Sequence, residues 1–314
     1  YFLLVLLLPL ITYSQSPCTG NLSNGFPCND YDLMSLFDKT TLSNQDGSDI
    51  WGWTDPLDSN EYAIITFEDK TCFLNITDPI NPQYLGYLNT NAGVHYWRDV
   101  KVYQNHAFIV ADNVGAHGMQ VFDLTRLRTA TNLPVAFDED ALYTGFGKAH
   151  NIVINEDSGF AYAVGSDTFS GGPHFVNIQN PANPIAAGGY SIDSYSHDAQ
   201  VVTYDGPDAD YQGKEILIGS NANEVVIVDV TDKANPTNIS SISYPNIGYT
   251  HQGWFTEDQR FFIVGDELDE SNVGFNTRTL VFDMLDLDNP VLHYTYTGTE
   301  AAIDHNGYVR GNRF

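Results

Sequence analysis

The stretch HNIVINEDSGFAYAVGSDTFSGGPHFVNIQNPANPIAAGGYS (residues 150–191) decides the fold. It contains four short runs that favour strands, HNIVIN, FAYAVG, HFVNIQ and IAAGGYS. The segments between these runs are rich in Gly, Asn, Asp and Pro, which are the residues that form turns. Four consecutive strands joined in this way predict one antiparallel four-stranded sheet.

The same unit recurs along the chain. A His followed by a polar residue begins strands at His150, His197, His251 and His305, so the intervals are 47, 54 and 54 residues. A β-branched run that ends in Asp or Asn before a Pro-containing turn also recurs, in FLNITDP, HFVNIQNP, VVIVDVTDKANP and LVFDMLDLDNP. A period of about fifty residues built from short strands is typical of propeller blades.

We therefore predict an all-β chain that forms a β-propeller of four-stranded antiparallel blades. The predicted boundaries are near 46–90, 95–141, 146–192, 195–245 and 249–299, with the start of a sixth blade at 303–314. In the first two blades Trp51 and Arg98 stand where the others have His. Because a propeller must close on itself to bury its blade faces, we expect this chain to be a fragment of a protein with seven blades.

The overall charge of the chain argues against anionic partners. Asp and Glu number 40 against 13 Lys and Arg, for a net charge of −27. Such a field repels nucleic acid and anionic lipid. It favours cations, or only keeps an exported protein in solution. No run after residue 14 has the length and apolar character of a membrane helix.

The first residues indicate export. Residues 1–14 (YFLLVLLLPLITYS) resemble the apolar region and cleavage site of a secretory signal peptide, without its basic start. Residues 15–45 then form a lead-in segment before the propeller. Export permits a disulfide, and Cys18 and Cys28 are close enough in the chain to form one, whereas Cys72 would stay free.

Several long motifs carry a resemblance to a known family. They are DIWGWTD, YWRDVKVYQNHAFIV, HGMQVFDLTRLR, AHNIVINEDSGFAYAVGS, HDAQVVTYDGPDADYQGKEI, VVIVDVTDK, THQGWFTEDQRFFIVGDELDE and AIDHNGYV. In these the chain resembles the bacterial choice-of-anchor B family, whose repeats are called LVIVD repeats, from Cys18 onward. The resemblance implies an exported, surface-associated propeller whose relatives carry varied C-terminal anchors. It implies no particular biochemical activity.

The repeated His residues are the main candidates for a site. The first strand of each blade lines the central channel, so equivalent residues of successive blades form a ring. We expect His150, His197, His251 and His305 in that ring, with Asp99 and Asp198 in a polar layer beside it. Loops after the second strands should reach the same mouth and bring Asp112, Asp266 and Glu267. We expect Trp254 and Asp304 there as well.

Three interpretations of the ring remain open. The His residues and their polar neighbours could hydrogen-bond adjacent blades and fix their spacing. They could bind a transition metal, such as Zn, Cu, Fe, Mn or Ni, because imidazole is its commonest side-chain ligand. Or the mouth could bind a ligand without a metal, through Trp residues and the carboxylates Asp99, Asp198, Asp266, Glu267 and Asp304.

Calcium is a fourth possibility, from the acidic loops at 205–215 and 266–270, although neither has the spacing of an EF-hand loop. Our functional prediction is an exported binding or interaction module at the cell surface, with an extracellular protein, peptide or glycan as its ligand. The alternative is a metal-dependent hydrolase, lyase or redox enzyme with its site at the His ring.

Overall fold

A computed structural model describes residues 15–314, so the predicted signal peptide lies outside the described residues. Five sheets of antiparallel strands follow one another along the chain, after a small two-stranded hairpin. In each sheet, strands that are consecutive in sequence pair with each other, except that the strand after the third strand of blade two joins blade one in parallel and the next strand completes blade two. The predicted β-propeller of four-stranded antiparallel blades is confirmed. The total of seven blades stays a prediction.

The lead-in and the first two blades fill the first half of the chain. The lead-in contains β1 (Leu22–Ser23), β2 (Phe26–Pro27) and helix α1 (Lys39–Leu42). Blade one contains β3 (Gly47–Thr54), β4 (Glu61–Phe67), β5 (Lys70–Asn75) and β6 (Gln83–Asn89). Blade two contains β7 (Arg98–Tyr103), β8 (His106–Ala111) and β9 (Met119–Asp123), then the 3-10 helix η1 (Leu124–Thr129), β10 (Val135–Phe137) and β11 (Ala141–Tyr143).

Three more blades fill the second half. Blade three contains β12 (Asn151–Asn155), β13 (Phe160–Val164), the 3-10 helix η2 (Phe169–Gly171), β14 (His174–Asn177) and β15 (Ile185–Gly189). Blade four contains β16 (Asp198–Thr203), β17 (Glu215–Ser220), β18 (Val225–Asp229) and β19 (Thr237–Ile242). Blade five contains β20 (Thr250–Phe255), β21 (Phe261–Asp266), helix α2 (Asp269–Asn272), β22 (Arg278–Asp283) and β23 (Val291–Thr297).

The recurring Asp or Asn that ends the third strand forms a turn in every one of these five blades. Its side-chain oxygen accepts the backbone N–H two residues later, at 2.9 to 3.0 Å. This is the local bond by which Asn and Asp stabilise turns. The residues are Asn75, Asp123, Asn177, Asp229 and Asp283.

The core lies between neighbouring blades. Apolar side chains that alternate along each strand leave the sheet plane and pack against the next sheet. Phe73 of blade one stacks on Phe122 of blade two at 4.5 Å between ring centroids. Similar buried clusters join blades two and three, three and four, and four and five. Burial between sheets therefore fixes the position of each innermost strand around the axis.

Blade two departs from the simple repeat. Its third strand is followed by η1, and β10 then pairs in parallel with β6 of blade one before β11 returns to blade two. The outermost strand of blade two therefore lies at Ala141–Tyr143, past the predicted boundary at 141. At Gly86 in β6, a Cβ atom would stand 2.2 Å from the Val135 oxygen, so glycine is what permits this pairing.

Residues 303–314, predicted as the start of a sixth blade, contain no named strand. They still occupy the place of an inner strand, because Gly307 donates its N–H to Gln252 Oε1 at 2.9 Å. The Tyr308 ring lies 4.9 Å from Trp254 of blade five and 5.9 Å from Trp51 of blade one. This segment thus lies between the fifth and first blades.

The lead-in contains a disulfide between Cys18 and Cys28, and Cys72 is a buried free thiol in β5. Within residues 15–314, no helix has the length and apolar character needed to cross a membrane.

Candidate functional site

A polar layer joins the innermost strands. Asp49 Oδ2 accepts the N–H of Val100 at 3.1 Å, and Asp99 Oδ2 accepts the N–H of Ile152 at 2.7 Å. Gln252 Oε1 likewise accepts the N–H of Gly307, in the segment that follows blade five. The position after the His therefore links each of these blades to the next one.

These bonds also correct the alignment of blade one. Asp49 is equivalent to Asp99, so Ser48, and not Trp51, stands at the His position of blade one. Ser48 Oγ donates to the Arg98 carbonyl at 2.8 Å. An irregularity in β3 between Gly47 and Ile50 shifts the register, and the sequence pattern does not reveal it.

Three charged side chains meet inside this layer. Lys101 Nζ lies 2.5 Å from Asp99 Oδ1 and 3.3 Å from Asp49 Oδ2, and all three residues are largely shielded from solvent. Burial and the charge of Asp99 raise the pKa of Asp49 to about 8. Although burial alone would raise the pKa of Asp99, its pKa is lowered by Lys101. Lys101 is therefore the main counter-ion of Asp99.

Asp198 lies in the same layer without a cation of its own. It is buried, and its Oδ1 accepts the N–H of Ala199 at 2.7 Å. Burial, followed by the charge of Asp99, raises its pKa to about 7. Asp99 and Asp198 thus lie beneath the mouth, not at its surface.

The four predicted histidines form an arc. Adjacent ring centroids lie 4.3 Å apart for His150 and His197, 4.4 Å for His197 and His251, and 4.3 Å for His251 and His305. Burial is the largest cause that lowers the pKa of His197 to about 3 and of His251 to about 2. At neutral pH these two imidazoles are uncharged.

The arc differs at its two ends. At one end His150 Nδ1 lies 3.0 Å from Asp112 Oδ2, and Lys148 lies 2.8 Å from the other oxygen of that carboxylate. Hydrogen bonds to His150 and Lys148 keep the pKa of Asp112 low despite its burial. Toward the other end, which is His305, the neighbouring His251 Nε2 lies 3.7 Å from Glu267 Oε2.

One group of ligand atoms is compact enough to hold a metal ion. The side-chain atoms of His251, Glu267 and His305 all lie within 4.8 Å of one another. His251 is buried, Glu267 is half-buried and His305 is exposed. The second such group consists of the surface carboxylates of Asp208, Asp286 and Asp288.

The arc lines the floor of a funnel of about 580 Å³ at one end of the channel. Aromatic side chains also line this funnel, namely Trp97, Tyr195, Tyr249 and Tyr308. Tyr195 and Tyr249 are not among the residues predicted at the mouth. A signal for them exists, because each stands two residues before a ring His, in YSH and YTH.

The funnel does not contain every predicted residue. Asp266 is buried and accepts the N–H groups of Gly248 and Tyr249, at 3.0 and 2.6 Å, and Arg278 lies 3.4 Å away, so it stabilises the loop before β20. Asp304 lies near the carboxylate of Asp266, and burial raises the pKa of Asp304 to about 7. Neither lines the funnel.

Trp254 does not line the funnel. It lines a smaller cavity of about 150 Å³ together with Trp51 and Lys101. The prediction that Trp254 lies at the mouth with the histidines is wrong, because a strand advances about 3.3 Å per residue. Three residues along β20 from His251 place the indole well below the mouth.

Comparisons with known proteins support the fold. No protein-family model matches the chain, and no curated protein matches its sequence. Among solved structures, the chain is similar to a hypothetical selenium-binding protein from Sulfolobus tokodaii, at 10% identity and a TM-score of 0.56, over 89% of this chain and 69% of that one. It is also similar to the periplasmic gluconolactonase of Pseudomonas aeruginosa, at 11% identity and a TM-score of 0.53, over 78% and 71%. At these identities the likeness shows a shared β-propeller fold.

A protein from Lactobacillus plantarum matches at 11% identity and a TM-score of 0.47, over 79% of this chain and 66% of that one. The chain therefore spans about two thirds of the length of these three proteins.

Proposed function

We propose that this chain is an exported LVIVD-repeat propeller of the choice-of-anchor B family and a binding module at the cell surface. The long motifs from DIWGWTD to AIDHNGYV support the family, and the Cys18–Cys28 disulfide supports export, because disulfides persist in oxidising compartments. The observation that carries the binding role is the funnel itself. Concave sites of a few hundred Å³ are where small ligands bind, and this one combines aromatic side chains with many polar and charged ones.

The chemistry of the funnel favours a neutral, hydroxyl-rich ligand. The buried imidazoles on its floor carry no charge at neutral pH. Arg98 lines the funnel, but its guanidinium donates to the carbonyls of Glu68 and Gly93, so it is already occupied. Aromatic faces beside imidazole and carboxylate groups suit a sugar ring, and the net charge of −27 disfavours acidic peptides. Among the extracellular ligands, we therefore propose a glycan.

Trp97 provides a direct test. Its side chain is 37% exposed and lies 5.4 Å from the His150 ring, at the rim of the funnel. Neutral glycans and peptides would be screened against the secreted protein, and binders confirmed by calorimetry. We expect a glycan to bind the wild type and Trp97→Ala to weaken it at least about tenfold, while Tyr294→Ala on the exposed strand β23 has no effect.

Peptide binding without glycan binding, or equal affinity in Trp97→Ala, would contradict this proposal. A second candidate function, a metal-dependent enzyme at the same funnel, is supported by one observation, the approach of Glu267 to two histidines.

A further inference from the structure

We propose that His251, His305 and Glu267 bind one divalent first-row transition metal ion on the floor of the funnel. The His251 Nε2 and Glu267 Oε2 atoms are 3.7 Å apart, and the three ligand atoms lie within 4.8 Å of one another. In a tetrahedral zinc site with bonds of about 2.1 Å, ligand atoms are about 3.4 Å apart. Because Glu267 is half-buried and His305 is exposed, these two side chains are the ones that have room to rotate toward a bound ion.

The donor set indicates the class of ion. Two imidazole nitrogens and one carboxylate oxygen form the three-ligand set of catalytic zinc sites and of mononuclear non-haem iron(II) sites. Both kinds of site leave further coordination positions open. The one free thiol in residues 15–314, Cys72, is buried in blade one, so the set contains no thiolate for a soft ion such as Cu(I).

The orientation of His251 supports this assignment. The residue is 2% exposed, and its Nδ1 has no hydrogen-bond partner among the described residues. In the preceding blade, the equivalent His197 Nδ1 is bonded to a backbone carbonyl. His251 Nε2 lies 3.7 Å from Glu267 Oε2, so this nitrogen is the one directed toward the carboxylate. The ring thus presents Nε2 to the other two ligands, although its Nδ1 lacks the hydrogen bond that commonly holds the second nitrogen of a metal-binding His.

The other two histidines of the arc are not part of the compact group. His150 is held by Asp112, and the ligand atoms of His150 and His197 lie outside the 4.8 Å group. Of the four histidines predicted in the ring, His251 and His305 thus belong to the proposed metal site, and Glu267 is its third ligand. All three ligands line the funnel, so an ion could enter from solvent and expose its open positions to a bound molecule.

The test uses the untagged protein, treated with a chelator and dialysed. Zn²⁺ binding would be measured by calorimetry, and Co²⁺ binding by its visible absorption. We expect one ion per chain, and a loss of at least about 100-fold in affinity for Glu267→Gln and for His305→Gln, because even outer partners of metal ligands contribute about 10- to 100-fold. Both positions are partly or fully exposed, so both variants should fold.

His150→Gln is the matched control, since it removes an imidazole from the same arc without touching the group of three. We expect its affinity to stay within about threefold of the wild type. Failure of the folded wild type to bind either ion would overturn the proposal. So would unchanged affinity in the Glu267→Gln/His305→Gln variant, or an equal loss in His150→Gln. No glycan is present in these measurements, so their outcome is independent of the proposed ligand.

Discussion

His197 Nδ1 donates a hydrogen bond to the backbone oxygen of His251 at 3.0 Å, and thereby joins blade four to blade five. The two residues are 54 positions apart, and His197 directly precedes β16 while His251 is the second residue of the equivalent strand β20. Ser48 and Arg98 make the corresponding bond between blades one and two. A side chain at this position therefore has a structural role in at least two blades, whatever the funnel binds.

Replacing His197 should therefore destabilise the propeller. His197→Ala leaves a buried carbonyl without its donor, and we expect the free energy of unfolding to fall by about 1–3 kcal/mol. Urea unfolding followed by circular dichroism would measure it. His293→Ala, on the exposed strand β23, is the control and should change stability by less than about 0.5 kcal/mol. An equally small effect at His197 would show that the bond contributes nothing.

The ion pair between Asp99 and Lys101 should show strong coupling. Asp99→Asn removes the charge that compensates a buried ammonium, which we expect to cost about 3–5 kcal/mol. The variant Asp99→Asn/Lys101→Met removes both charges and should recover part of that loss. Unfolding of the wild type, both single variants and the double variant provides the cycle. Additive effects would mean that the pair does not act as a unit.

We expect the pairing of β10 with β6 of blade one to depend on Gly86. The Cβ of Gly86→Ala would overlap the Val135 oxygen, so β10 should separate from β6. We expect a loss of about 1–3 kcal/mol together with faster amide hydrogen exchange in residues 135–137. Gly115→Ala, where a Cβ meets nothing within 4 Å, is the matched control. Unchanged exchange in residues 135–137 would contradict this role of Gly86.

The sequence predicted what the repeat itself encodes. The histidine arc follows from equal positions in successive strands, and the Asp or Asn that ends each third strand forms the expected turn. The depth of Trp254 and the place of Ser48 depend on where a strand begins and where it is irregular, which residue spacing does not show. Lys101 has no counterpart in the other repeats, and its ion pairs with Asp99 and Asp49 depend on the packing of blades one and two. The repeat predicted Glu267 at the mouth, but not its approach to His251. Asp266 instead accepts backbone N–H groups of its own blade.

The buried carboxylate of Asp198 predicts that the protein loses stability as the pH rises. Its pKa in the folded state, about 7, lies above the ordinary value of 3.8, so the folded form binds the proton more tightly. Its stabilising contribution is complete below about pH 4 and is lost as the pH rises through 7. Between pH 5.5 and pH 8 this amounts to about 2 kcal/mol.

Asp198→Asn isolates this effect, because the amide mimics the protonated carboxyl and its oxygen can still accept the N–H of Ala199. Asp49 titrates in the same range and stays in both proteins, so the difference between the two profiles belongs to Asp198. We expect the variant to be more stable than the wild type at pH 8 and to lose less stability between pH 5.5 and pH 8. Asp205→Asn, at an exposed position, should keep the wild-type profile. Parallel profiles for Asp198→Asn and the wild type would mean that Asp198 is already ionised at pH 5.5 in the folded protein.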